Sequence, residues 1–221
     1  PDHGRAIGQA PPAGTAAPHA RYAPGPAARF LLFHRSRLWN ESEGVWMGWE
    51  RKRGKIEEFN RLLRGATDTS FTTQIGDVAI LPAVRYVLTL DRDTRLPRDS
   101  ARQLIGVGEH PLNRPRYDAH AGRVVEGYGI LQPRVSVTMA SAAGSLFART
   151  YGGHTGVDPY STAVSDTYQD LFGEGVFVGK GRYAVEAFSA ARAGRVGANA
   201  MPSPDPVEGP CARAPPAPDL G

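Results

Sequence analysis

Residues 85–94 constrain this chain more than any other stretch, because an apolar, strand-like run ends there in two acids. Asp91 and Asp93 lie two residues apart, so on a strand their carboxylates point to the same side. Open α/β sheets bind their ligands at the carboxyl ends of strands. We therefore predict that Asp91 and Asp93 hold Mg²⁺ or Mn²⁺ together with a nucleotide diphosphate. The alternative is a solvated turn with two exposed acids, which so short a motif does not exclude.

Strand-like and helical segments alternate through the middle of the chain, and this alternation predicts an α/β fold with a mainly parallel sheet and crossover helices. The predicted helices include residues 55–64, 98–107 and 183–193, and the predicted strands include residues 29–34 and 85–90 and one or two strands in residues 123–138. A stripe of Ile56, Phe59, Leu62 and Leu63 supports the first of these helices.

The two ends of the chain differ from the middle. Residues 1–29 are rich in Pro, Ala and Gly without a periodic apolar pattern, so we predict a disordered lead-in. Residues 195–221 contain closely spaced prolines, which predict an irregular tail. The predicted catalytic core is therefore residues 30–194. Because the first residue is not Met, we expect the sequence to be a fragment of a longer chain.

Composition narrows the possible partners. The net charge of +4 comes mainly from arginines spread along the sequence, which suits a phosphate-bearing substrate or an anionic membrane surface. This charge is too diffuse to favour nucleic acid. No apolar run approaches the roughly 18 residues that a membrane span needs. A single cysteine, Cys211, excludes an internal disulfide.

Three further segments are candidates for ligand contacts. Lys52, Gly54 and Lys55 lie at the start of a predicted helix, where amide donors and basic side chains favour an anion. The alternative for this segment is a solvated, basic helix start. Gln132 and Arg134 end a predicted strand, where they contact a sugar or phosphate or cap the strand edge.

The third segment is rich in glycine. Residues 172–188 combine four glycines, among them Gly179, with Glu174 and Lys180, and glycines let a backbone approach a ligand closely. The segment has no Gly-Lys-Ser/Thr sequence and is not a Walker A loop. Trp39, Trp46 and Trp49 could stack on sugar rings, but packing is the interpretation that we favour at this stage.

The order of these elements, and several long runs of sequence, resemble the transferase domain of the cyclic β-1,2-glucan synthases, a family with a glycosyltransferase-A-like fold (glycosyltransferase family 84). The resemblance covers roughly residues 20–213, and it is carried by residues 39–55, 106–116, 125–135 and 158–175. It implies a partial domain, incomplete at both ends: the family's first strand should lie upstream of residue 20. The closing Arg-Trp segment, the membrane helices and the phosphorylase module should lie beyond residue 221.

The resemblance also implies the chemistry. The family transfers glucose from UDP-glucose to a growing β-1,2-glucan with inversion and with a divalent cation. By position, donor binding is implied for five residues and acceptor binding for four: Lys52, Gly54, Lys55, Asp91 and Asp93 for the donor, and Gln132, Arg134, Gly179 and Lys180 for the acceptor. Asp91 and Asp93 are also the implied ligands of Mg²⁺ or Mn²⁺.

The catalytic base implied by the resemblance is Asp205, with Glu174 as the substitute. Residues 203–209 match a family run that resembles Ser-His-Asp-Leu-Leu-Glu-Gly, but two prolines replace its His and a Leu, and they should disturb the local backbone. The implied partners are UDP-glucose, a β-1,2-glucan acceptor and the remainder of the parent synthase, with no nucleic acid. The implied location is the cytoplasmic side of the bacterial inner membrane, within the parent enzyme.

Two other functions stay open. The chain could be a non-catalytic part of such a synthase that retains weak nucleotide or metal binding, since preorganisation supplies most of catalysis. It could also be a basic domain that binds polyanions or a membrane surface. That third function predicts basic residues clustered on one face, whereas here arginines alternate with acids along the sequence.

Overall fold

The computed structural model of the chain describes residues 30–91, 94–133, 171, 177, 179–195 and 205–215, without the side chains of Thr73 and residues 205–208. The predicted lead-in, residues 1–29, lies outside this description. The chain divides into two compact units, one holding the described residues up to 84 and the other those from 85 onwards. The predicted core, residues 30–194, therefore comprises parts of two units.

The described residues of the first unit form four strands, one α-helix and a 3₁₀-helix. In chain order these are β1 (Leu32–Arg35), β2 (Leu38–Asn40), β3 (Val45–Met47), α1 (Arg51–Leu63), β4 (Phe71–Ile75) and the 3₁₀-helix Val78–Ala83. β1 pairs with β4, and β2 pairs with β3 in a short hairpin, both antiparallel. Helix α1 confirms the helix predicted at residues 55–64 and begins four residues earlier.

An aromatic cluster fills the core of this unit. Phe33 of β1, Phe59 of α1 and Phe71 of β4 meet edge to face, with ring centroids 5.7–6.2 Å apart. Leu62 and Leu63 of the same helix are buried as well. The apolar stripe read from the sequence therefore faces the strands, and burial of this face holds α1 against β1 and β4.

A buried ion pair ties the same elements together. Arg35 of β1 lies 2.9 Å from the carboxylate of Glu58 in α1, and both side chains are 8% exposed. Glu58 also accepts hydrogen bonds from the backbone N–H and the hydroxyl of Ser70, at 2.8 and 2.6 Å. Arg35 donates to the carbonyl of Trp49 at 2.8 Å. Glu58 thus binds Arg35 and Ser70 at the same time, which fixes the position of α1 against β1. Loss of either Arg35 or Glu58 would leave the other as a buried, unpaired charge.

The second unit is built on a three-stranded sheet. Its described elements are β5 (Tyr86–Thr89), α2 (Ser100–Glu109), β6 (Arg116–Asp118), β7 (Arg123–Glu126), β8 (Ile130–Leu131), β9 (Gly181–Ala184), α3 (Val185–Arg192) and α4 (Asp205–Ala212). The sheet has the order β5-β9-β8, and β6 and β7 form a separate hairpin. All of these pairings are antiparallel.

Both faces of the three-stranded sheet are covered. On one face, Leu104 of α2 packs with Leu131 and Leu88. On the other face, Tyr183 of β9 stacks on Phe188 of α3 with centroids 4.4 Å apart, and Phe177 meets Phe188 edge to face. A strand buried on both faces loses the polar–apolar alternation of a surface strand, which explains why β9 carries a weak sequence signal.

Several predicted elements can be compared with the structure. The strand predicted at residues 85–90 is confirmed as β5, and the helix predicted at 98–107 as α2, which ends two residues later. The helix predicted at 183–193 was wrong at its start, because Tyr183 and Ala184 pair with β5 and β8 in β9. The glycosyltransferase-A-like parallel sheet stays a prediction, since pairings among the described residues are antiparallel.

The predicted irregular tail contains a helix. Residues 195–221 include α4, whose second residue is Pro206. A proline in the first turn of a helix loses no intrahelical hydrogen bond, and its fixed φ suits the helix. Pro210 lies inside α4 and gives up one such bond, so the helix forms in spite of the proline density on which the prediction depended. The carbonyl of Ala212, the last residue of α4, accepts a hydrogen bond of 2.8 Å from the N–H of Gly129, beside β8. No helix in the described residues is long and apolar enough to cross a membrane.

We expect Gly54→Ala to destabilise the protein by about 1–3 kcal/mol, because a Cβ at this buried position would lie 2.0 Å from the carbonyl oxygen of Trp49. Gly106→Ala is the matched control, since Gly106 is also helical but has nothing within 4 Å of the added Cβ. Helix propensity predicts that the control gains up to about 1 kcal/mol. Denaturant unfolding followed by circular dichroism measures both, and equal free energies of unfolding would contradict the steric assignment.

Candidate functional site

The three-stranded sheet gathers several predicted site residues at one end. Thr89, at the carboxyl end of β5, pairs with Gly181 at the amino end of β9, and Leu131 at the carboxyl end of β8 pairs with the next residue of β9. Because both neighbours run antiparallel to β9, their carboxyl ends lie beside the amino end of β9, along the edge of the sheet that the strand ends form. The segments carrying Asp91, Lys180 and Gln132 leave the sheet at this edge, which is about 10 Å, or two strand spacings, wide.

Asp91 and Lys180 form an ion pair at this edge. The Lys180 Nζ lies 3.3 Å from Oδ2 of Asp91, and both side chains are partly exposed. The sequence assigned these two residues to donor and acceptor binding respectively, and the structure brings them into direct contact. A carboxylate and an ammonium group that are partly exposed side by side can together contact a cation and the phosphates that it neutralises.

The glycines beside Lys180 have a conformational reason. Gly179 has φ +73° and Gly181 has φ +145°, a region that side chains rarely adopt. A Cβ on Gly181 would lie 2.6 Å from the carbonyl oxygen of Leu131. The close approach that the sequence predicted for a ligand is therefore made, at Gly181, by the backbone of β8. A ligand contact at Gly179 stays a prediction.

Gln132 is buried directly after β8. Its backbone N–H donates a hydrogen bond of 3.3 Å to the carbonyl of Pro215, so the chain that follows α4 crosses the end of this strand. This contact matches the strand-edge alternative, and the role of Gln132 in acceptor binding stays a prediction.

The basic donor residues belong to the first unit rather than to the unit of Asp91. Lys55 is exposed and Lys52 is half-buried on α1. The N–H of Gly54 donates to the carbonyl of Glu50 at 3.0 Å, so this amide already has an acceptor. Packing against Trp49 explains the glycine at this position without a ligand. Donor binding by all three residues stays a prediction.

Four predicted residues lie outside the described part of the structure. They are the second metal ligand, the second acceptor residue, the substitute base and the side chain of the favoured base: Asp93, Arg134, Glu174 and Asp205. The backbone of Asp205 is described and begins α4. The identity of the base therefore stays a prediction.

The described donors fit a diphosphate-bound cation better than a protein-only metal site. The described residues contain no group of three His, Cys, Asp or Glu side chains that could hold a metal ion. Mg²⁺ commonly uses one or two carboxylates, while substrate phosphates and water complete its coordination. Asp91 supplies one such carboxylate directly after β5, and a metal–nucleotide at this residue stays a prediction.

A known protein is similar in sequence to most of this chain. The chain is 53% identical over 196 residues, 88% of its length, to the cyclic beta-(1,2)-glucan synthase NdvB of Rhizobium meliloti (strain 1021). The chain is related to a segment of a cyclic β-1,2-glucan synthase. It spans about 7% of the length of that relative. No family model matches the chain.

The resemblance to the synthases is thereby confirmed for a segment of such a protein. Identity at this level over 88% of the chain bears out the family that the long runs of sequence indicated. The glycosyltransferase-A-like fold and the roles of individual residues stay predictions.

Sequence reasoning missed a buried cation in this synthase-related chain. Arg182 of β9 is 1% exposed, and its guanidinium carbon lies 3.8 Å from the centre of the Tyr86 ring. Its three side-chain nitrogens have no hydrogen-bond partner among the described residues. Burial lowers the pKa of Arg182. The face of the ring and the carboxyl-terminal turn of α2, where Gly108 leaves space, offset part of this cost.

Tyr86 also links the sheet to the end of α2. Burial raises the pKa of Tyr86, and its hydrogen bond to Glu109 raises it further. The same hydrogen bond lowers the pKa of Glu109, helped by Arg85 at 3.2 Å and Arg114 at 2.9 Å. The only sequence signal for this network was Arg85 at the start of the predicted strand.

We expect Glu109→Gln to weaken the acid dependence of stability. The folded-state pKa of Glu109 lies below its ordinary value of 4.5, so its contribution is present above that pH and lost as the pH falls through the folded pKa. Glutamine still accepts the hydrogen bond from Tyr86 but does not titrate. Unfolding curves recorded between about pH 7 and pH 3 should therefore be flatter for the variant, and parallel curves would contradict the assignment.

Proposed function

We propose that this chain is part of the glucosyl-transfer site of a cyclic β-1,2-glucan synthase, where glucose from UDP-glucose is added with inversion to a growing β-1,2-glucan. The relative whose segment it matches is named for that product. The observation that supports the proposal most strongly is the Asp91–Lys180 pair, partly exposed at one end of the three-stranded sheet. The activity proposed is that of the whole synthase, which includes the remainder of the parent protein.

In this proposal the ion pair exchanges partners when the donor binds. Asp91, with Asp93, turns to Mg²⁺ or Mn²⁺, and Lys180 turns to a phosphate oxygen. A cation held by Asp91 and Asp93 would supply positive charge to the diphosphate, which favours departure of UDP. Lys180 adds a charge-assisted hydrogen bond to the same group. In the absence of donor, the two side chains neutralise each other, so neither charge is left exposed alone.

Acceptor binding and proton transfer complete the proposed reaction. Gln132, Arg134 and Gly179 position the glucan end beside the donor, and Lys52, Gly54 and Lys55 contribute to donor binding. A carboxylate removes the proton of the attacking hydroxyl as the bond from glucose C1 to that oxygen forms and the bond to UDP breaks. Asp205 is the proposed base and Glu174 the substitute.

The proposal includes a fold and a location. We infer a glycosyltransferase-A-like α/β domain within the parent, working at the cytoplasmic side of the bacterial inner membrane, where UDP-glucose is present. The alternative is a non-catalytic segment that binds the metal–nucleotide without turnover. We expect the isolated chain to make no glucan, because the activity belongs to the whole synthase. Incubation of the parent synthase with radiolabelled UDP-glucose and Mn²⁺ separates the two, because Asp91→Asn abolishes labelled glucan only if this segment serves the transfer reaction.

We expect Asp91→Asn to weaken Mn²⁺-dependent binding of UDP-glucose at least roughly tenfold, since the amide loses the charge that attracts the cation. Lys180→Gln should weaken binding of the metal–nucleotide but not of Mn²⁺ alone, because it removes a phosphate contact and frees Asp91. Asp68→Asn is the control, because Asp68 likewise forms an ion pair, in its case with Arg61. Isothermal titration calorimetry measures all three variants.

Two results would contradict these assignments. Undiminished UDP-glucose binding in Asp91→Asn, in a variant whose circular dichroism matches the wild type, would remove Asp91 from the site. A Lys180→Gln variant that binds Mn²⁺ and the nucleotide as the wild type does would reduce the ion pair to a surface contact.

A further inference from the structure

The β2–β3 hairpin of the first unit exposes aromatic surface that the core does not use. Trp39 and Trp46 are directly paired across the two strands, and their rings meet edge to face with centroids 5.9 Å apart. They are 52% and 63% exposed, and Leu38 and Val45 beside them are also exposed. Packing, the interpretation favoured from the sequence, therefore does not explain these two tryptophans within the described residues.

A cavity adjoins this aromatic pair. Its volume is about 380 Å³, and its lining mixes apolar with polar side chains: Leu38, Trp39, Met47 and Trp49 on the apolar side, and Asn40, Glu41 and Ser42 on the polar side. Trp39 belongs both to the exposed pair and to the cavity wall. The Trp39 indole therefore connects the exposed tryptophan pair with the cavity.

The polar end of the hairpin is fixed before any ligand arrives. The Asn40 side-chain oxygen accepts hydrogen bonds from the backbone N–H and the hydroxyl of Ser42, at 3.0 and 2.9 Å. Glu43 forms an ion pair with Arg51 at 2.6 Å, while Glu41 is exposed on the cavity wall. A rigid turn that presents a carboxylate and a hydroxyl beside two indoles loses little conformational entropy on binding.

We propose that this hairpin, defined as residues 38–49, binds a segment of the β-1,2-glucan chain itself. A glucose ring has apolar C–H faces and a rim of hydroxyls, so it matches an indole face beside carboxylate, amide and hydroxyl groups. The identity of the polymer rests on the proposed function. The hairpin directly precedes Lys52, Gly54 and Lys55 in the sequence, whereas Asp91 and Lys180 belong to the other unit, and it would hold glucan already made rather than the reacting end.

Two other occupants fit the same surface less well. An anionic membrane surface would meet the exposed carboxylate of Glu41, which offsets the attraction of the exposed Arg37 beside the hairpin. A protein partner that covers the apolar side chains must also supply a hydrogen-bond donor to that carboxylate. A glucan supplies hydroxyl donors to that carboxylate and C–H faces to the indoles at the same time.

Calorimetric titration of the full chain with linear β-1,2-linked glucose oligomers tests the site. We expect binding that Trp39→Ala and Trp46→Ala each weaken roughly tenfold, whereas Trp39→Phe and Trp46→Phe retain most of it because a ring remains. Leu112→Ala is the matched control, an exposed apolar side chain in the other unit. Circular dichroism checks that each variant keeps the wild-type fold.

Three results would overturn the inference. They are the absence of glucan binding by a wild-type chain that still binds Mn²⁺ and UDP-glucose, glucan binding that both alanine variants keep, and tryptophan-dependent cosedimentation with phosphatidylglycerol vesicles without glucan binding. Failure of the proposed function has a different signature, since glucan would then bind normally while UDP-glucose binding is absent or indifferent to Asp91→Asn.

Discussion

The pairing of β9 with both β5 and β8 is the constraint on which the second unit depends. Four residues of β9 supply the hydrogen bonds that align two segments separated in sequence by about forty residues. They also place a tyrosine toward α3 and an arginine toward α2, so the same short strand anchors a helix on each face. Gly181 makes this possible because only a residue without a Cβ fits so close to Leu131. The proposed donor site follows from the pairing, since Asp91 and Lys180 meet only while Thr89 and Gly181 stay in register.

Much of the local structure could be predicted from the sequence where burial is one-sided. The apolar stripe of α1 is periodic because one face packs on Phe33 and Phe71 while the other stays in water, so the helix was readable. β9 was not, because both of its faces are buried and its arginine looks like a surface residue. α4 was missed because proline density was read as irregular structure, although a proline in the first turn is compatible with a helix.

The candidate site could likewise be predicted from the sequence only in part. The strand followed by acids indicated Asp91, and the glycines indicated the approach to Lys180, but neither pattern contains the ion pair, which depends on contacts between residues 89 positions apart. The exposure of Trp39 and Trp46 was equally unreadable. Tryptophans in sequence indicate burial on average, and only the hairpin register shows that these two face each other across strands, where the described residues leave both more than half exposed.

The positions of the tryptophans also determine which unit each spectroscopic signal follows. All three in the sequence fall within residues 39–49, in the first unit, and the second unit has none. Tryptophan fluorescence, excited selectively, therefore follows the first unit alone, while tyrosine absorbance follows mainly the second unit, which holds seven of the eight tyrosines, and far-ultraviolet dichroism follows both. The two units can be observed separately in one undivided chain, and a gap between the transitions seen by the two signals would measure how independently they unfold.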